Sequence, residues 1–107
     1  MSRYDDALNY ALNALKKSEV KNSIHAVYLY GSCARGEQKL GSDIDLYVEL
    51  NEDVSPKLKR QLKVACNPDD WTLPDVDVKI GLSLEDAPDN DLFYRNIRRD
   101  GVIIWKR

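Results

Sequence analysis

Two aspartates, Asp43 and Asp45, stand one residue apart in "DIDLYVEL", a run that otherwise reads as a strand. Aspartate is a poor strand former, so the pair asks for a physical reason. On one strand face the two carboxylates lie about 7 Å apart and repel unless water, a base or a cation lies between them. A divalent cation resolves the repulsion. Oxygen donors suit Mg²⁺, which keeps several waters and takes one or two carboxylates together with substrate phosphates. Taken alone, the pair is better read as acids lining the solvent face of an antiparallel sheet.

A Gly-Ser pair upstream shifts that balance. Gly31 ends the apolar run "HAVYLY", and its missing Cβ permits a tight turn and the close approach of a phosphate or another backbone. Ser32 offers a hydroxyl and an amide at the expected start of a short helical segment, "SCARGE". Free N–H groups at a helix start bind phosphate oxygens. By itself the pair is an ordinary strand-to-helix turn with Ser32 as cap; the combination with the acids matters. A later run, "DVDVKIGL", adds Asp75 and Asp77 on one face. Asp77 is the preferred third oxygen donor because Val76 and Val78 flank it in mid-strand, whereas Asp75 follows Pro74 near the strand start.

These residues need elements to hold them. Leu8, Ala11, Leu12 and Leu15 recur at helical spacing, predicting an amphipathic helix over 3–17 with Ser2 as a candidate cap. Strands are predicted at 25–30 and 43–50. In the second, Ile44, Leu46, Val48 and Leu50 alternate with Asp43, Asp45, Tyr47 and Glu49. Ser55 and Pro56 open a helix whose stripe is Leu58, Leu62, Ala65 and Cys66. A strand at 75–82 follows, then a helix from near Asp89 to Gly101 with Leu92, Phe93, Asn96 and Ile97 inward, then a strand at 102–105. The order predicts an α/β (α+β) fold: a small mixed sheet with helices packed on one face, the other face free to carry Asp43, Asp45 and Asp77. His25 and the tyrosines Tyr28, Tyr30 and Tyr47 read as sheet residues rather than as chemistry.

Composition narrows the partners. The 107 residues suit one domain spanning 1–107, with 43% hydrophobic and 32% charged residues. A formal net charge of -2 gives no support for direct nucleic acid binding. Cys33 and Cys66 have no metal-ligand spacing and read as free thiols. The absence of an apolar leader or a window of transmembrane length places the chain in the cytoplasm, with no membrane.

"GSCARGEQKLGSDID" resembles the Gly-Ser, ten residues, Asp-x-Asp signature of the polymerase-β-like nucleotidyltransferase superfamily. Four fixed positions at that spacing arise by chance on the order of once per thousand chains of this length. "ARGE", "SDIDL", the later "VDVKI" and the ending "NIRRDGVIIW" look like the minimal nucleotidyltransferases, the small stand-alone subgroup. The resemblance implies the polymerase-β-like nucleotidyltransferase fold and transfer of a nucleoside monophosphate, AMP from ATP. Asp43, Asp45 and Asp77 would be the catalytic and metal-binding acids, holding two Mg²⁺ ions. Gly31, Ser32 and Arg35 would bind the nucleotide's phosphates.

About 60 residues follow the Asp pair, too few to enclose both a base and an acceptor, so the missing wall is expected from a partner, from a second copy in a homodimer, or from nothing. The subgroup's implied partner is a HEPN-domain ribonuclease toxin. Adenylylation of a tyrosine on it would make this chain an Mg²⁺-dependent protein adenylyltransferase and an antitoxin. Two alternatives stay open: a non-enzymatic binding module that occludes its partner, and a transferase acting on a small-molecule antibiotic.

Overall fold

A computed structural model of the chain describes residues 3–31, 43–88 and 90–107. The expected caps at Ser2 and Ser32, the "SCARGE" helix, Cys33, Arg35 and the expected helix start at Asp89 lie outside the described residues. The elements run α1 (Arg3–Lys17), β1 (Ile24–Tyr30), β2 (Ile44–Leu50), α2 (Pro56–Cys66), β3 (Val76–Gly81), α3 (Leu92–Asp100) and β4 (Val102–Lys106). That is the order read from the sequence, with single 3-10 turns added at Lys21–Ser23 and Leu84–Asp86. Among the described residues no helix is long and apolar enough to cross a membrane.

The four strands lie in the order β3-β2-β1-β4. β1 pairs antiparallel with both β2 and β4, while β2 and β3 are parallel. Parallel neighbours need a crossover, and α2 supplies it. Ser55 caps α2 by accepting the Leu58 N–H at 3.2 Å, and Pro56 takes the first turn, where its missing donor costs nothing. Asp5 and Asp6 in the first turn of α1, and Lys16 and Lys17 in its last, complement that helix's dipole.

Alternation sorts the sheet into two faces. On one, Val27, Ile44, Leu46, Val48 and Val78 bury almost completely against α1 and α2. Each such side chain contributes roughly 1.5–3 kcal/mol relative to exposure. Ala7 and Ala11 are fully buried, so small side chains let α1 come close to α2. The Cys66 thiol contacts the Ala11 carbonyl at 3.8 Å there, and burial pushes its pKa up to about 12.

The opposite face is not free along its whole length. α3 lies across part of it, with Phe93, Tyr94 and Ile97 packing on Tyr28, Tyr30 and Tyr47. α1 and α2 form the expected helical layer; α3 covers the other side because its apolar stripe meets aromatic strand residues there. It starts at Leu92, later than the sequence suggested, because Asp91 caps it by accepting the Phe93 N–H at 2.9 Å. That start turns Leu92 outward, 67% exposed, and brings Tyr94 inward.

Candidate active site

Register decides what the alternation brings together. Across the α3 side of the sheet, Tyr30 pairs with Asp45 and Asp45 with Asp77, forming one row over three strands. The next row is Tyr28, Tyr47 and Lys79, and the one after is Ala26, Glu49 and Gly81. Asp45 and Asp77 are therefore direct neighbours on parallel strands, held by the backbone ladder. Asp45 is half-buried and Asp77 exposed. Asp43 is exposed and precedes β2 by one residue, where the Ile44 N–H donates to the Asp75 carbonyl at 2.9 Å. Asp75 thus flanks the mouth of the two strands, whereas Asp77 lies in register with Asp45.

Gly31 ends β1 with φ +76, the left-handed region that favours glycine. A Cβ built there would collide with Asp45 Oδ2, so the turn passes directly over that carboxylate. The close neighbour is thus the Asp45 side chain, where the sequence suggested a phosphate or another backbone. Ser32 and Arg35, the other expected phosphate contacts, are not among the described residues.

Two site neighbours were not singled out from the sequence. Lys79 Nζ lies 3.5 Å from Asp77 Oδ2 with both side chains about half exposed, a pairing of little energetic weight that still offsets one negative charge. Its signal was in the alternation Asp75, Asp77, Lys79. Tyr30 packs in the sheet as its strand position predicts, edge-on against Phe93 with ring centroids 5.7 Å apart. Its phenol also faces the acids: burial first, then the charges of Asp45 and Asp77, raise its pKa well above the ordinary tyrosine value. It stays a neutral hydroxyl beside the pair.

Glu49 shares the face but not the site. It is 4% exposed; its Oε2 accepts the Leu84 N–H at 2.8 Å and its Oε1 lies 3.7 Å from His25 Nε2. That carboxylate ties the turn after β3 to the sheet. Tyr47 does the same, donating to the Leu82 carbonyl at 2.7 Å, with Gly81 leaving room for its hydroxyl. Tyr47→Phe is expected to cost about 1 kcal/mol of unfolding free energy, read from urea denaturation, because the hydroxyl's bond is lost at a buried site.

The donor set is all oxygen, which fits a hard divalent cation. Among the described residues no group of three or more His, Cys, Asp or Glu converges as a ready metal cage. An adjacent carboxylate pair with an exposed third acid fits instead a metal whose coordination is completed by water and substrate phosphate.

The sequence pattern of the family described as polymerase beta, nucleotidyltransferase, matches residues 13–107. The chain belongs to that nucleotidyltransferase family. Among solved structures, it is similar to a toxin–antitoxin crystallised with AMP-PNP, with a TM-score of 0.65 and 23% identity, covering 92% of this chain and 73% of that one. The toxin–antitoxin MntA-HepT is similar with a TM-score of 0.56 and 20% identity, covering 96% and 73%. A spectinomycin adenyltransferase from Enterococcus faecialis, solved with ATP and spectinomycin, gives a TM-score of 0.72 at 14% identity, covering 97% of this chain and 56% of that one. At these identities the likeness is one of fold. No curated protein matches the sequence.

Proposed function

We propose that this nucleotidyltransferase moves AMP from ATP to a hydroxyl of a protein acceptor, a tyrosine of a HEPN-domain ribonuclease toxin, and so acts in the cytoplasm as the antitoxin of a pair. The observation that carries the reading is the Asp45–Asp77 row beneath the Gly31 turn, inside a family-wide sequence match. The toxin–antitoxin likenesses, whose matched chains are only modestly longer than this one, support the protein acceptor.

Asp43, Asp45 and Asp77 would hold two Mg²⁺ ions together with triphosphate oxygens. When bound, the metal stabilises the attacking and leaving oxygens of an in-line displacement. The chain's own part is positional and protonic. By the family resemblance, Gly31 and Ser32 would hold the β- and γ-phosphates, with Arg35 as a phosphate clamp. Asp77, which is exposed, takes the proton of the attacking hydroxyl. A new O–P bond forms at the α-phosphate, the bond to the bridging oxygen breaks, and pyrophosphate leaves with that electron pair. Tyr30, neutral beside Asp45, donates no charge to an already anionic site.

Co-expression with a HEPN-domain protein as the proposed partner, followed by intact-mass measurement, tests the proposal. The expected result is a mass gain of one or more AMP groups on the partner's tyrosine, lost with Asp43→Ala. No mass gain, with toxin inhibition intact in Asp43→Ala, would replace it with occlusion by a binding module. The fold likeness to the spectinomycin enzyme favours a second reading, a small-molecule acceptor. Transfer to an antibiotic panel without any protein acceptor would establish that instead.

A further inference from the structure

A second concave site lies at the other end of β1, on the helical side of the sheet. Its floor is Leu12, Leu15, Ile24 and Val27, and Trp105 forms one wall. The cleft encloses about 190 Å³. An apolar cavity of about 150 Å³ holds a benzene ring, so this one has room for a single ring or a short alkyl chain.

Its rim is cationic. Lys16, Lys21 and Arg107 all border the opening. The Arg107 guanidinium is fixed there: its Nε donates to the Ile24 carbonyl at 3.0 Å, its Nη2 donates to the Lys21 carbonyl, and the group lies 5.9 Å from the Trp105 ring centroid. Among the described residues neither the Lys16 nor the Lys21 ammonium has a carboxylate within ion-pairing distance. Two ammonium groups with no ion pair among the described residues and a clamped guanidinium thus border an apolar hollow, in a chain whose overall charge is negative.

We propose that this cleft binds a small amphipathic anion, a carboxylate or phosphate ester carried on one ring or a short alkyl chain. The apolar body fills the floor beside Trp105, and the anionic head meets Lys16, Lys21 and Arg107 at the rim. The cleft's size suits a small apolar body, and charge complementarity selects the sign of the head. The site shares no residue with the Asp45–Asp77 row, so it stands or falls independently of the proposed transfer reaction.

The test titrates the protein with phenylbutyrate, with octanoate and with neutral phenylbutanol while amide and indole N–H resonances are followed by NMR. Saturable shifts at Leu12, Leu15, Ile24 and the Trp105 indole with either anion, and affinity about tenfold weaker for phenylbutanol, are expected. The exposed pair Lys16→Gln and Lys21→Gln should weaken the anions by a similar factor while leaving ATP binding and the rest of the spectrum unchanged. Failure of both anions to saturate, equal affinity for the alcohol, or indifference to the lysine pair would overturn the proposal. Shifts at the same residues that follow protein concentration instead of added probe would assign the cleft to a second copy, and overturn it too.

Discussion

Asp45→Asn is expected to lower the rate of nucleotidyl transfer by on the order of 10²–10³ or more while the protein folds normally. The side chain keeps its shape and loses only its charge. Removing one preorganised group at a reacting centre costs that much where charge develops in the transition state. Folding should not suffer, because neutralising one of two adjacent acids relieves repulsion across the Asp45–Asp77 row. The same substitution separates the rival third acids. Asp77→Asn should fall as far as Asp45→Asn, whereas Asp75→Asn, at the mouth of the strands, should stay within about fivefold of the parent. Pyrophosphate release in the presence of Mg²⁺ and acceptor, with thermal unfolding measured in parallel, reads both effects. Full activity in Asp77→Asn beside an inactive Asp75→Asn would reverse the assignment.

Gly31→Ala should damage both stability and catalysis. The left-handed backbone at φ +76 costs an L-residue about 1–2 kcal/mol, and the new methyl must displace the Asp45 carboxylate or the turn itself. A destabilisation of about 2 kcal/mol or more is expected in urea unfolding, with transfer reduced as strongly as in Asp45→Asn. A double-mutant cycle isolates the contact: combined with Asp45→Ala, the alanine at position 31 should cost about 1 kcal/mol less than it does alone. Full additivity would show that the backbone conformation, and not the carboxylate, accounts for the loss.

Much of this arrangement was legible in the residues. Alternation in "DIDLYVEL" and "DVDVKIGL" told which side chains share a face, because a two-residue period is a property of the strand itself. Ser55 and Pro56 announced α2 for a similarly local reason. Facing partners were harder. Its mid-strand place between Val76 and Val78 favoured Asp77 over Asp75, but that Asp77 meets Asp45 depends on the parallel register, which is set by how α2 seats on the sheet. The position of α3 was hidden likewise: its stripe of Phe93, Tyr94 and Ile97 says that it buries a face without saying against which side of the sheet. Tyr30 illustrates both limits. Its strand and its packing role could be read locally, but its place beside two carboxylates could not.

The position of β2 has a consequence for how the acidic row behaves in time. β2 has a hydrogen-bonded strand on either side, helices over one face and aromatic packing over much of the other. Opening such a strand exposes the core, so its amides exchange with solvent only through excursions close to global unfolding. β4, at the sheet edge with Val102 and Ile103 half exposed, can fray at far lower cost. Asp45 is therefore anchored to the slowest-opening part of the molecule. In the proposed transfer, the backbone that carries Asp45 therefore stays in place while substrate comes and goes.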